Sequence, residues 1–247
     1  MQSNSHRFIQ HRIRENKSGG IIRSRIDLIL HYMIDCYLCM LEDGPEFSSS
    51  KIKETATYKF EDYLSDRFVD DYLRKRKAES LSQTQLNQII FTKQSSENYI
   101  DCNTKLNRPD LIDIYITNIQ LDKELSSTPQ PYFAIECKRI RKSSCFEEYV
   151  KDIQKFANRE HTMTRLPYEG QIAFIENSKF THCLVAQNIN KKLLSIESID
   201  TIQVLESKVI HEGFKGSYYS KHFKNFGENN GFAIYHLLFD YTKIVID

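Results

Sequence analysis

Two short stretches hold the side chains whose types and spacing could do chemistry. Arg108-Pro109-Asp110 leads into an apolar, β-branched run (LIDIYITNI), and Glu136-Cys137-Lys138 lies near the end of the next such run, YFAIECKRI. Alternation along a strand puts Glu136 and Lys138 on one face and turns Cys137 away from them. If the two runs are neighbouring strands, Asp110 approaches Glu136, and two carboxylates and an ammonium converge. That trio suits phosphodiester hydrolysis. Two carboxylates can hold a hard cation such as Mg2+, with Mn2+ as a substitute, while the cation also binds a phosphate oxygen. Such a cation stabilises charge developing on the phosphoryl group and lowers the pKa of water. Lys138 would hold the attacking water in line and stabilise the transition state.

The elements that must position these groups are legible from periodicity. Helical spacing of Ile26, Leu28, Ile29, Leu30, Met33, Ile34 and Leu38 predicts a long helix over Ile21–Leu41, ended by Asp43-Gly44-Pro45. A second helix is expected from Tyr58 to Lys77, with Phe60, Tyr63, Leu64, Phe68, Tyr72 and Leu73 on one face. Strands are expected at Gln88–Lys93, Leu111–Ile119 and Tyr132–Ile140, with turn residues at Ser126–Pro131 between the last two. A helix follows from Phe146 to about Glu160, then a strand at Gly170–Ile175, a helix at Lys179–Ser195, and strands at Gln203–Ile210 and Gly231–Phe239. The order α-α-β-β-β-α-β-α-β-β implies a mixed α/β fold, a central sheet flanked by helices. Residues 1–20 read as a flexible basic arm carrying Arg7, Arg12, Arg14 and Lys17, and 21–57 as an N-terminal helix and loop ahead of a domain over 58–247.

The pair Pro109-Asp110 with Glu136-Cys137-Lys138 resembles the defining pattern of the PD-(D/E)xK, or restriction-endonuclease-like, nuclease superfamily. The family core, helix, three strands, helix and strand (αβββαβ), is similar to the order over about Tyr58–Ile175, with the N-terminal helix and C-terminal strands as additions. The resemblance implies that Asp110 and Glu136 are metal ligands, that the backbone carbonyl of Cys137 completes the coordination, and that Lys138 is the catalytic lysine. Many members add a helix carboxylate; Glu61 is the choice here, with Asp62 and Glu54 as alternatives. The segment Tyr149–Ile175, and Ser220-Lys221-His222 with His236–Asp240, look similar to restriction-like proteins of bacterial defence loci. The implied activity is a Mg2+-dependent endonuclease acting on DNA in preference to RNA. The rival reading is a non-catalytic nucleic-acid-binding or scaffolding subunit that keeps the fold.

A second Glu-x-Lys triplet, Glu206-Ser207-Lys208, serves as an internal control. No Pro-Asp precedes it at strand-pair spacing and no amphipathic helix follows it directly, whereas the first triplet has both. Arg139, Arg141 and Lys142 continue from Lys138, and Gln154 lies on the next helix; all four are expected to meet the nucleic acid. The Gln-x-x-x-Tyr variant of exonuclease branches is absent, since Asn158 stands four positions after Gln154.

Composition sets the outer bounds. The chain has 247 residues, 40% of them hydrophobic and 12% aromatic, enough for one substantial core. Net charge is only +1, which points to a protein partner or homo-oligomer rather than to a free, strongly basic nucleic-acid binder. The six cysteines are scattered, and Cys36 and Cys39 form a lone Cys-x-x-Cys inside a helix, so free thiols in a reducing cytoplasm are expected. No apolar run is long enough for a membrane span. Five of the eight histidines, His161, His182, His211, His222 and His236, are dispersed and read as surface or core residues; the aromatic-basic setting of His222 makes it the one worth testing for base contacts.

Overall fold

The computed structural model describes residues 18–55, 58–79, 86–119, 131–161, 165–226 and 230–246. Most of the basic arm and the Ser126–Gln130 part of the expected turn lie outside these residues. Helix α1 (Ser18–Asp43) is followed by α2 (Phe60–Arg67), which runs through a π-helical stretch (Phe68–Arg74) into α3 (Lys75–Glu79). Then come β1 (Ile89–Asp101), β2 (Asn107–Asn118), β3 (Tyr132–Ile140), α4 (Cys145–Asn158), β4 (Arg159–His161) and β5 (Arg165–Ile175). The chain continues through α5 (His182–Leu194), β6 (Thr201–Ser207), β7 (Ser217–Phe223) and β8 (Gly231–Asp240).

Among the described residues, eight strands form one mixed sheet in the order β4-β1-β2-β3-β5-β8-β7-β6. β3, β5 and β8 run parallel; the other neighbours are antiparallel. Helices cover both faces. On one side α1, α2 and the π-helical stretch pack Ile26, Met33, Phe60, Leu64 and Phe68 against Phe133, Ile135 and Cys137 of β3 and Tyr235 and Phe239 of β8. On the other, α4 and α5 pack Phe146, Tyr149, Val150, Ile153, Val185 and Ile189 against Ile140, Ala173 and Ile234. Because both faces are covered, the central strands read as near-continuous apolar runs. Gly170 on β5 has a steric reason: a Cβ there would meet Ile135 Cγ1 at 2.5 Å, so glycine is what lets β3 and β5 lie together beneath that side chain.

Most predicted elements stand, with corrections at their ends. β1 extends to Asp101, β5 begins at Arg165, and β6 stops at Ser207 rather than Ile210. Two strands were not foreseen. β4 is three residues long, and β7 (SYYSKHF) hides its alternation because Ser220 and His222 are buried among the aromatics. Cys36 and Cys39 are free thiols on α1, with Cys36 Sγ directed at the Tyr72 carbonyl at 3.7 Å. No helix among the described residues is long and apolar enough to cross a membrane.

β2 is irregular at one point that decides the site. Its pairing with β1 runs from Lys93↔Ile114 directly to Ser95↔Ile112, and between them Gln94 has φ 49°, a left-handed conformation rare for a residue with a Cβ. Ile114 packs with Phe133 and Ile135 on the α1/α2 face, whereas Ile112 packs with Tyr132 and Ala134 on the other. Residues two apart in a regular strand share a face. The strand therefore turns over at Asp113, the residue between them.

Candidate active site

β2 and β3 pair only over Ile114–Thr117 and Tyr132–Ile135, after which the two strands part. Asp113 stands at the opening. Its Oδ2 accepts the backbone N–H of Cys137 at 2.7 Å, replacing a ladder bond with a side-chain one. The Glu136 and Lys138 side chains emerge from the adjoining strand on the α4 face, since Cys137 between them packs on the opposite face. α2 sends Glu61 to the same gap: its Oε1 lies 3.0 Å from Lys138 Nζ, and its Oε2 accepts the N–H of Arg139 at 2.9 Å. α4 contributes Asp152 from the opposite side, with Oδ2 3.3 Å from Lys138 Nζ and Oδ1 accepting Lys155 Nζ at 2.6 Å. Lys138 thus bridges carboxylates from helices on the two faces of the sheet.

Electrostatics set this gap apart from ordinary ion pairs. Four carboxylates, Glu61, Asp113, Glu136 and Asp152, lie around one partly buried ammonium. Burial, followed by the charges of Asp113 and Asp152, pushes the Glu136 carboxyl well above its usual range. Burial also pushes Asp113 up to about 7, against the opposing pull of the Cys137 N–H and Lys138. Burial works against the charge on Lys138, but Glu61, Asp152 and Asp113 outweigh it, so Lys138 is a firmly held ammonium. Asp152 Oδ2 is buried without a hydrogen bond: Lys138 is near enough for attraction but not aligned to donate. Gln171, in register with Glu136 on β5, donates through Nε2 to the Tyr149 carbonyl at 2.9 Å, while its Oε1 is likewise buried and unpaired. An excess of negative charge and unpaired buried oxygens in one place is what a hard divalent cation relieves. The donor set, oxygen throughout, fits Mg2+ or Mn2+.

The expected site residues divide cleanly. Glu61 and Lys138 are in contact, and Glu136 lies where the charges of Asp113, Asp152 and Lys138 act on it. Asp110 does not join them: Arg159 holds it in an ion pair near Tyr99, whose ring lies under the same guanidinium at 4.3 Å. Asp113 stands where Asp110 was expected. The alternatives to Glu61 cap the helix that carries it, Asp62 by accepting the N–H of Lys59 at 2.7 Å and Glu54 by accepting that of Phe60 at 2.9 Å. The Cys137 thiol is fully buried on the far face, so only its backbone reaches the gap. Of the residues expected at nucleic acid, Arg141 and Lys142 are exposed. Arg139 is engaged by Glu176 at 2.6 and 2.7 Å and stacks on Phe60, and Gln154 donates to Ser198 at 2.7 Å.

Asp113 and Asp152 were missed by the sequence reading. For Asp152 a signal existed: a carboxylate inside the stripe of Phe146, Tyr149, Val150, Ile153 and Phe156 must be buried, and buried carboxylates are rare without a partner.

Other polar clusters are matched in charge, although Arg165 Nη2 is buried without a hydrogen bond. Arg165 lies between Glu97 and Glu169, with Tyr132 and His161 on Glu97. Tyr149, His236, Ser220, His222 and Thr201 form a buried hydrogen-bonded chain with contacts of 2.8–3.1 Å, so His222 is a core residue rather than a base-contacting one. Lys208 of the control triplet sits 3.4 Å from Asp27 and over the Tyr235 ring, and Glu206 accepts from Gln203, so no site assembles there. Comparison of the chain with protein families, with curated proteins and with solved structures gives no match.

Proposed function

We propose that this chain is a divalent-cation-dependent nuclease whose site is Glu61, Asp113, Glu136 and Lys138. The observation that carries the reading is the crowd of carboxylates around Lys138 where β2 and β3 part. A helix, three antiparallel strands, a helix and a parallel strand present that crowd, which supports the resemblance to the PD-(D/E)xK superfamily, with Asp113 as the aspartate of the pattern. Asp113, Glu136 and the Cys137 carbonyl would hold Mg2+, with Glu61 beside them. When bound, the cation supplies Lewis-acid stabilisation of phosphoryl charge and a more acidic water.

The chain's own residues do the rest. Lys138, an ammonium tied to Glu61 and Asp152, donates hydrogen bonds to phosphate oxygens or to the attacking water; so firmly protonated, it does not serve as the base. The Cys137 N–H fixes the Asp113 carboxylate, sparing that group a reorganisation cost when it takes up its charged role. Exposed Arg141 and Lys142, just past the site, would meet the phosphate backbone, giving position and salt dependence but no base readout. DNA is the proposed substrate, in the setting of defence against foreign nucleic acid. The test is incubation of the purified chain with plasmid, linear and single-stranded DNA and with RNA, each with Mg2+, Mn2+ or chelator. Cation-dependent scission that is lost in Glu136→Gln supports the reading. A chain that binds nucleic acid but cleaves none of these substrates under any condition would instead be the non-catalytic subunit.

A further inference from the structure

Away from the carboxylate gap, two segments bring imidazoles to a shared carboxylate. His31 and Asp35 stand four apart on α1 and so share one face of that helix. His211 comes from the connection between β6 and β7. Asp35 serves both rings: its Oδ2 is 3.2 Å from His31 Nδ1, and its Oδ1 is 3.0 Å from His211 Nε2. One donor atom from each residue lies within 4.8 Å of the others, and the two rings are 4.6 Å apart between centroids. His31 and Asp35 are about half exposed, at 49% and 48% of their side chains, so an ion and its waters have access.

We propose that His31, Asp35 and His211 bind a transition-metal cation of the zinc class, which fastens the β6–β7 connection to α1. The donor chemistry separates this site from the first. Two imidazoles and one carboxylate suit zinc, cobalt, nickel or copper, whereas an all-oxygen set suits magnesium or manganese. The clamp would act on a segment with little regular structure, in which His211 and Phe214 form an isolated bridge. Phe214 is the other anchor, packing edge-on against Tyr37 and Phe239.

Binding carries a structural consequence. His211 Nδ1 accepts the N–H of Gly213 at 3.0 Å, so in the metal-free ring the proton sits on Nε2, 3.0 Å from Asp35 Oδ1. For a cation to bind Nε2, the proton there must first leave; with a proton taken up at Nδ1 instead, the Nε2 lone pair is free for the metal and Nδ1 no longer accepts from the Gly213 amide, which is released. Ligating histidines ordinarily donate from their other nitrogen, so Nδ1–H would then turn to water or a carbonyl.

The experiment titrates the full chain with ZnCl2 by calorimetry and with CoCl2 by absorption, and follows the Gly213 amide by NMR with Zn2+. The expected result is one cation per chain in Asp113→Asn, which lacks the carboxylate-gap site, with visible d–d bands but no thiolate charge-transfer band, and a shifted Gly213 amide. Affinity should fall more than about tenfold in His31→Ala and in His211→Ala. It should be unchanged in Asp113→Asn, which keeps this site independent of the nuclease reading. His31 is an exposed helix position, so its variant folds even if His211→Ala does not. Absence of binding by the wild-type chain would overturn the proposal. So would affinity undiminished in His31→Ala, or a thiolate band placing the metal at a cysteine such as Cys183, which lies beside His182.

Discussion

The Asp113 carboxylate accepts the N–H of Cys137 at 2.7 Å, so the backbone of the Glu-x-Lys triplet itself fixes the aspartate that faces it. Asp113→Asn keeps the shape but removes the charge. It should weaken Mn2+ binding and cleavage by roughly a hundredfold or more. Asp110→Asn breaks only the pair with Arg159, and should leave cleavage within about twofold while costing about 1 kcal/mol of stability. Parallel calorimetry, cleavage assays and denaturant melts on the two variants check both statements; equal losses of activity would contradict the assignment.

Lys138→Met should separate stability from activity. Without the ammonium, Glu61, Asp113, Glu136 and Asp152 repel one another. The metal-free protein should lose about 2 kcal/mol, less than for a fully buried pair because Lys138 and Glu61 are 20% and 22% exposed. Mg2+ should restore much of that stability in thermal melts, yet cleavage should stay lost.

Cation affinity should depend on pH with a definite sign. Asp113, raised to about 7, and Glu136, raised well above its usual range by burial, bind protons in the folded state that they release when unfolded. Metal-free stability therefore declines as pH rises from the ordinary carboxylate range towards 7 and beyond. Protons compete with the cation over the same window, so Mn2+ affinity measured by calorimetry between pH 5.5 and 8 should climb through about 7. A flat profile would remove Asp113 from the ligand set.

The buried histidines pull the other way. Burial holds His222 down to about 4, and burial with its neighbour His222 holds His236 well below its ordinary value. Their contribution is complete above about 6.5 and is lost as pH falls from there towards 4, because unfolding lets them protonate. For His222 the loss is at most about 3 kcal/mol. Urea melts of wild type and His222→Gln at pH 7 and pH 4.5 should show a smaller pH effect in the variant.

Much of this was legible from residue order. β3 falls on Tyr132–Ile140 as read, and alternation alone put Glu136 and Lys138 together. The aspartate was not legible. Pro109-Asp110 satisfied the pattern first, and no periodicity announces that β2 turns over at Asp113, opposite the left-handed Gln94 of the neighbouring strand. A left-handed residue there costs on the order of 1 kcal/mol, strain of a kind that collects where a side chain must be re-aimed. β7 escaped notice because its buried polar residues belong to a hydrogen-bonded chain that only the assembled sheet completes.

The most direct measurement is anomalous scattering from crystals of the full chain grown with MnCl2. The account predicts a manganese peak in the gap between β2 and β3, within bonding distance of Asp113 and Glu136 carboxylate oxygens. Strong manganese density elsewhere with none in that gap, or none at all at saturating MnCl2 near pH 8, would contradict it.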